Sequence, residues 1–180
     1  MHNNIEYEAR ILNIDIESIK AKLNFMGATP LSSYLQRRYV FDVIPAKKGT
    51  WIRLRTNGNK STLALKQIDK YTIDGTREWE TEVSDFDAMQ QILERAGIKP
   101  KGYQENKRTA YQLDGIEVTI DEWPQLKPYI EIEGPDAASV EAVILKLGFK
   151  KSELSFKNTI DMYADLGIDL DKVSRLVFTD

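Results

Sequence analysis

Ile5-Glu6-Tyr7-Glu8-Ala9-Arg10-Ile11 alternates without a break: read as an extended strand, it puts Ile5, Tyr7, Ala9 and Ile11 on one face and Glu6, Glu8 and Arg10 on the other. The same division recurs along the chain. In Trp51-Ile52-Arg53-Leu54-Arg55 the arginines oppose Ile52 and Leu54, and Leu63 and Leu65 oppose Lys66. Further on, Val118 and Ile120 oppose Glu117, Thr119 and Asp121, while Ile130 and Ile132 oppose Glu131 and Glu133. A strand built this way buries its apolar face against other elements and must give its charged face either water or counter-charges.

The Glu-x-Glu opening occurs three times, at Glu6/Glu8, Glu80/Glu82 and Glu131/Glu133. Each time an amphipathic stretch follows and ends at a glycine: Gly27, Gly97 and Gly148. A base comes nine to eleven residues after each glycine, at Arg38, Arg108 and Lys157. The apolar positions keep one helical spacing in all three stretches: Ile16, Ile19, Leu23, Met26; Phe86, Met89, Leu93, Ala96; and Ala137, Val140, Ile144, Leu147. Asp15, Ser84 or Asp85, and Asp136 stand where N-caps belong, and the glycines where helices stop. The unit reads as strand, helix, strand.

Asn57-Gly58, Asp74-Gly75 and Asp114-Gly115 separate alternating runs and suit hairpins. About eight mostly antiparallel strands result, with helices on the apolar side, and a sheet of that size twists and can close, which removes its edges. The expected fold is α+β: an eight-stranded antiparallel closed β-tunnel with helices packed on the outside, as a single domain over residues 1–180. Residues 161–180 carry only a weak helical pattern and suggest no role.

Composition narrows the function by exclusion. Twenty-eight acids against 25 bases give a net charge of −3, without the basic excess that a nucleic-acid binder usually carries. No cysteine is present, so disulfides and thiolate metal sites are excluded. No run approaches the roughly 18 apolar residues of a membrane helix, and Met1 to Arg10 contain no secretory stretch, so a cytoplasmic protein is expected. Neither a phosphate-binding Gly-x-x-x-x-Gly-Lys loop nor a nucleophile elbow occurs. The one histidine, His2, reads as a terminal residue rather than a ligand.

Any single Glu-x-Glu or Arg-x-Arg is ordinary solvated surface. Recurrence of two chemistries on separate strands is less ordinary: carboxylates at 6/8, 80/82 and 131/133 with Asp121, and bases at Arg53, Arg55, Lys66, Arg77 and Arg108. Facing carboxylates repel unless a cation lies between them, and an all-oxygen set points to Mg2+ or Mn2+. Guanidinium groups two residues apart project together and suit phosphate oxygens. A basic wall opposite an acidic, metal-holding wall is what a polyphosphate requires.

These residues resemble the CYTH superfamily, the triphosphate tunnel metalloenzymes, along nearly the whole chain: Glu6-x-Glu8-x-Arg10, Arg53-x-Arg55, Lys66 in Leu-Ala-Leu-Lys, Arg77 before Glu80-x-Glu82, Arg108, Asp121 and Glu131-x-Glu133. The resemblance implies a closed tunnel in which Glu6, Glu8, Asp121, Glu131 and Glu133 hold one or two divalent ions. It implies that Arg53, Arg55, Lys66, Arg77 and Arg108 hold phosphates, that Glu6, Glu8 and Arg10 form the catalytic group, and that Glu80 and Glu82 serve the metal wall or a salt-bridge network. Two positions depart from the family pattern. Arg10 stands where lysine is usual, which suits a phosphate clamp better than a proton carrier, and Asn106-Lys107-Arg108 replaces Lys-x-Arg. The resemblance implies metal-dependent hydrolysis of a nucleoside, thiamine or inorganic triphosphate, with cyclisation of ATP or phosphate binding without turnover as alternatives, and it allows a homodimer.

Overall fold

A computed structural model describes residues 4–179, so His2 lies outside the described part. The elements run β1 (Ile5–Leu12), α1 (Ile16–Phe25), β2 (Thr29–Lys47), β3 (Thr50–Thr56), β4 (Ser61–Ile68), β5 (Thr76–Val83) and α2 (Phe86–Arg95). They continue with β6 (Pro100–Leu113), β7 (Ile116–Glu122), β8 (Tyr129–Gly134), α3 (Ala137–Lys146), β9 (Leu154–Ser155), α4 (Thr159–Ala164) and β10 (Arg175–Leu176). The eight long strands pair antiparallel in the order β6-β2-β3-β4-β5-β1-β8-β7, and β7 returns to β6, which closes the barrel. Four helices pack outside it. Among the described residues no helix is long and apolar enough to cross a membrane.

Three of the helices form where their caps place them. Asp15, Asp85 and Asp136 each accept a hydrogen bond from the backbone N–H three residues on, all at 2.8 Å, satisfying one of the four orphan donors of a first turn. Gly27, Gly97 and Gly148 follow the last turns at positive φ, where a side chain would be strained.

The barrel's apolar matter lies outside its wall. Ile19 and Leu23 of α1 and Val140, Val143 and Ile144 of α3 cover Ala9, Ile11, Val118, Ile120, Ile130 and Ile132. Phe86 and Leu93 of α2 cover Phe41 and Leu54. Because neighbouring residues of a strand point to opposite faces, packing the odd members of β1 outward turns Glu6, Glu8 and Arg10 inward. The outer cores thereby fix the register of the inner wall, since a one-residue slip would bury charges under the helices.

The C-terminal segment is more ordered than its sequence suggests. β9 pairs with β1 opposite Arg10 and Ile11, and β10 pairs parallel with β6. Met162, Tyr163, Leu170 and Leu176 pack on Trp123 and Tyr129, and the Tyr163 hydroxyl donates to the Pro124 carbonyl at 2.5 Å. Residues 154–176 thus cross from one strand of the barrel to another.

Candidate functional site

The inward faces enclose a cavity of about 990 Å³. Its wall includes Glu6, Glu8, Arg10, Arg53, Arg55, Lys66, Glu80, Arg108, Glu131 and Glu133, so most of the residues singled out in the sequence meet there. The register makes the pairings: Lys66 lies opposite Glu78, Arg10 opposite Glu131, Glu8 opposite Glu133 and Arg108 opposite Asp121.

One part of the wall is basic. Arg53 reaches Glu78 at 2.7 Å, and Arg55 reaches Glu80 at 3.2 Å. Arg108 grips both oxygens of Asp121, through Nε at 2.9 Å and Nη2 at 2.8 Å, and also meets Glu131 at 3.0 Å. Carboxylates outweigh burial at Arg108 and hold its guanidinium well above the ordinary range. Arg38 is different. It donates to Gln36 and to Asn106 and lies over the Trp123 ring at 4.5 Å, yet among the described residues it has no carboxylate partner. Burial, followed by repulsion from Arg53, Arg55 and Arg108, pulls its pKa well down. Arg55 is pulled down to about 10 by burial, Arg53 and Arg108. The Nε atoms of Arg38 and Arg53 are buried without a hydrogen-bond acceptor. A buried cationic group with idle donors is complemented, in charge and in hydrogen bonding alike, by an anion.

The facing part is acidic. Burial, a hydrogen bond with Glu78 and the nearby Glu8 push Glu6 up to about 9, against the pull of Lys66 2.8 Å away. Glu78 goes the other way: against burial, Arg53 and Lys66 pull it below the usual carboxylate range. Arg10 and Arg108 likewise hold Glu131 well below the carboxylate range despite burial. Glu133 makes no ion pair among the described residues, and burial together with Glu131 pushes it up to about 7. Its side chain opens onto the cavity, where water screens part of that push.

These acids suit a hard divalent cation. The donors are all oxygen; Glu133 makes no ion pair among the described residues, and Glu6 must share the one ammonium of Lys66 with Glu78. Among the described residues no three acidic or imidazole side chains already converge on one point, so such an ion would take its ligands from carboxylates on facing strands.

Four expectations need correcting or refining. Arg77 has the opposite parity to Thr76 and Glu78, so it points away from the cavity and pairs on the outside with Asp69 at 2.6 Å. Glu82 shares the parity of Glu78 and Glu80 but lies beyond the rim, bound to Lys60 at 2.5 Å. Asp121 is fully buried one layer behind the cavity surface, accepting from Arg108, Asn106 and Thr119, so it orients Arg108 rather than facing the cavity. Arg10 is fastened to Glu8, Glu131 and the Lys157 carbonyl. Among the wall residues not assigned to the site from sequence are Glu78 and Arg38. Glu78 was readable from its parity with Glu80. Arg38 was readable too: it stands eleven residues after Gly27 as Arg108 stands after Gly97, and its neighbour Arg37 shares the parity of Tyr39 and Phe41, which pack outside the wall.

The sequence pattern of the CYTH domain matches residues 4–162. The chain belongs to the CYTH family. Solved structures share the CYTH fold across almost their whole length. The PH1012 protein of Pyrococcus horikoshii is 23% identical, with a TM-score of 0.75, covering 87% of this chain and 98% of that one. The PH1819 protein of the same organism is 20% identical at a TM-score of 0.71, with 89% and 99% covered. HpAC1 from Hippeastrum, for which a dominant triphosphatase activity is described, is 17% identical at a TM-score of 0.61, with 93% and 98% covered. At these identities the likeness is one of fold. No curated protein matches the chain.

Proposed function

We propose that this CYTH domain hydrolyses a triphosphate bound in its cavity, with a divalent cation, Mg2+ or Mn2+, on the acidic wall. The observation that carries the reading is the group Arg38, Arg53, Arg55 and Arg108, gathered around one cavity with buried donors idle and with Arg38 lacking a carboxylate partner among the described residues. Only an anion with several oxygens supplies what this group lacks.

Glu6, Glu8, Glu131 and Glu133 would hold the cation, which when bound neutralises phosphate charge and polarises water. The arginines bind and orient the chain of phosphates and receive the charge that builds on its oxygens. Asp121 and Asn106 keep Arg108 and Arg38 in place. In the overall reaction, the water oxygen bonds to the terminal phosphorus as the bridging P–O bond breaks, releasing orthophosphate and a diphosphate.

Product analysis with Mg2+ or Mn2+ and a panel of ATP, thiamine triphosphate and tripolyphosphate tests the proposal. Orthophosphate is expected. Cyclic AMP with pyrophosphate would move the chemistry to the α phosphorus, and binding without any product would reduce the site to a receptor.

A further inference from the structure

Arg10 sits between two of the acids assigned above to the cation. Its Nη2 is 2.8 Å from Glu8 Oε2 and 2.5 Å from Glu131 Oε2, so one nitrogen bridges carboxylates on adjacent strands. Its Nη1 donates to the Lys157 carbonyl at 3.3 Å, which ties the group from a third side to the segment crossing the barrel. The backbone supports this placement, because Arg10 is directly opposite Glu131 on β8 and opposite Ser155 on β9. A guanidinium stays charged at any working pH.

We infer that Arg10 is a built-in cation that permanently occupies the place between Glu8 and Glu131, leaving room on the acidic wall for one divalent ion bound chiefly through Glu6 and Glu133. This rests on the reading of that wall as a metal site. A lysine could swing its single ammonium away on a flexible stem. A guanidinium held at two carboxylates and a carbonyl is fixed in its plane and cannot leave one partner without leaving all three. The other acids are also provided for: Lys66 lies at Glu6 and Glu78, and Arg108 at Glu131 and Asp121. Glu133, and Glu117 directly opposite it on β7, have no fixed cation beside them among the described residues. For the same reason Arg10 does not turn toward phosphate.

The test counts bound Mn2+ by electron paramagnetic resonance and measures tripolyphosphate affinity in metal-free buffer by calorimetry, for wild type, Arg10→Ala and Arg10→Gln. Wild type is expected to bind one Mn2+ per chain. Either variant is expected to bind Mn2+ at least tenfold more tightly or to take up a second ion, while its metal-free affinity for tripolyphosphate stays within threefold of wild type. Should Arg10→Ala fail to fold, Arg10→Gln, which keeps a donor for the carbonyl, is read alone. Two Mn2+ in wild type would overturn the inference, as would a tenfold loss of metal-free tripolyphosphate affinity with Mn2+ binding unchanged. A wild-type chain that binds Mn2+ as expected but ignores every triphosphate would instead sink the hydrolase reading and leave this one standing.

Discussion

Replacing Arg38 by glutamine separates a ligand-binding arginine from a structural one. Arg38 is 8% exposed and faces Arg53, Arg55 and Arg108 without a carboxylate partner among the described residues. Removing a buried, uncompensated charge relieves desolvation and repulsion on the order of 1–4 kcal/mol in the free protein. Against this stand about 1–2 kcal/mol for the contact with the Trp123 ring. A further cost of about 1 kcal/mol comes from offering Gln36 and Asn106 a neutral donor in place of a charged one. The terms cancel to within about 2 kcal/mol, so the variant should melt within about 8 °C of wild type, given about 2–4 °C per kcal/mol for a chain of this size. Tripolyphosphate, by contrast, loses charge-assisted hydrogen bonds worth about 1.5–3 kcal/mol, a fall in affinity of about 10–150-fold. Scanning calorimetry and isothermal titration in metal-free buffer read both numbers. A melting point lower by about 8 °C or more, with affinity unchanged, would make Arg38 a structural residue and remove the main support for an anion site.

Arg77→Ala should leave triphosphate affinity within twofold and stability within about 1 kcal/mol, because its partner Asp69 lies on the outer surface; a tenfold loss by titration would return Arg77 to the site. Glu133→Gln breaks no ion pair, so its melting curve should overlay that of wild type while metal-dependent phosphate release falls at least a hundredfold; an unchanged rate would remove Glu133 from the metal set. For pH the sign follows from Glu6, raised to about 9, and Glu133, raised to about 7. Folded carboxyls with raised pKa keep protons that the unfolded chain releases above about 4.5, so the metal-free melting temperature should fall as pH rises from about 5 to about 9. Saturating Mg2+ should lift that curve most at its alkaline end, where both acids are free to ionise, and an equal lift at pH 5 and pH 9 would contradict the assignment.

Much of this was legible because the barrel wall keeps a period of two outside the register shifts of β2. Once Ile5, Tyr7, Ala9 and Ile11 are required to pack under helices, the direction of Glu6, Glu8 and Arg10 follows, and the same holds for Arg53, Arg55, Lys66, Glu131 and Glu133. The helix starts were equally plain, since an aspartate cap and an i, i+3, i+7 apolar stripe have local causes. What escaped was decided by depth along a strand rather than by face. Glu82 continues the parity of Glu80 but passes the rim, and Asp121 has the right parity but sits behind Arg108, distances that depend on how eight strands are staggered. The C-terminal segment escaped for a related reason: its anchors, Tyr163 on Pro124 and Ser155 opposite Arg10, are contacts with residues far away in the chain.

Crystals grown with Mn2+ and a non-hydrolysable triphosphate offer the sharpest single check. Anomalous scattering should place manganese on the acidic wall, chiefly at Glu6 and Glu133, and the phosphate oxygens should lie against Arg38, Arg53, Arg55 and Arg108. Phosphates ordered only on the outer surface, or an interior that stays free of both ion and anion at saturating concentrations, would contradict the claim that these inward charges exist to hold a triphosphate.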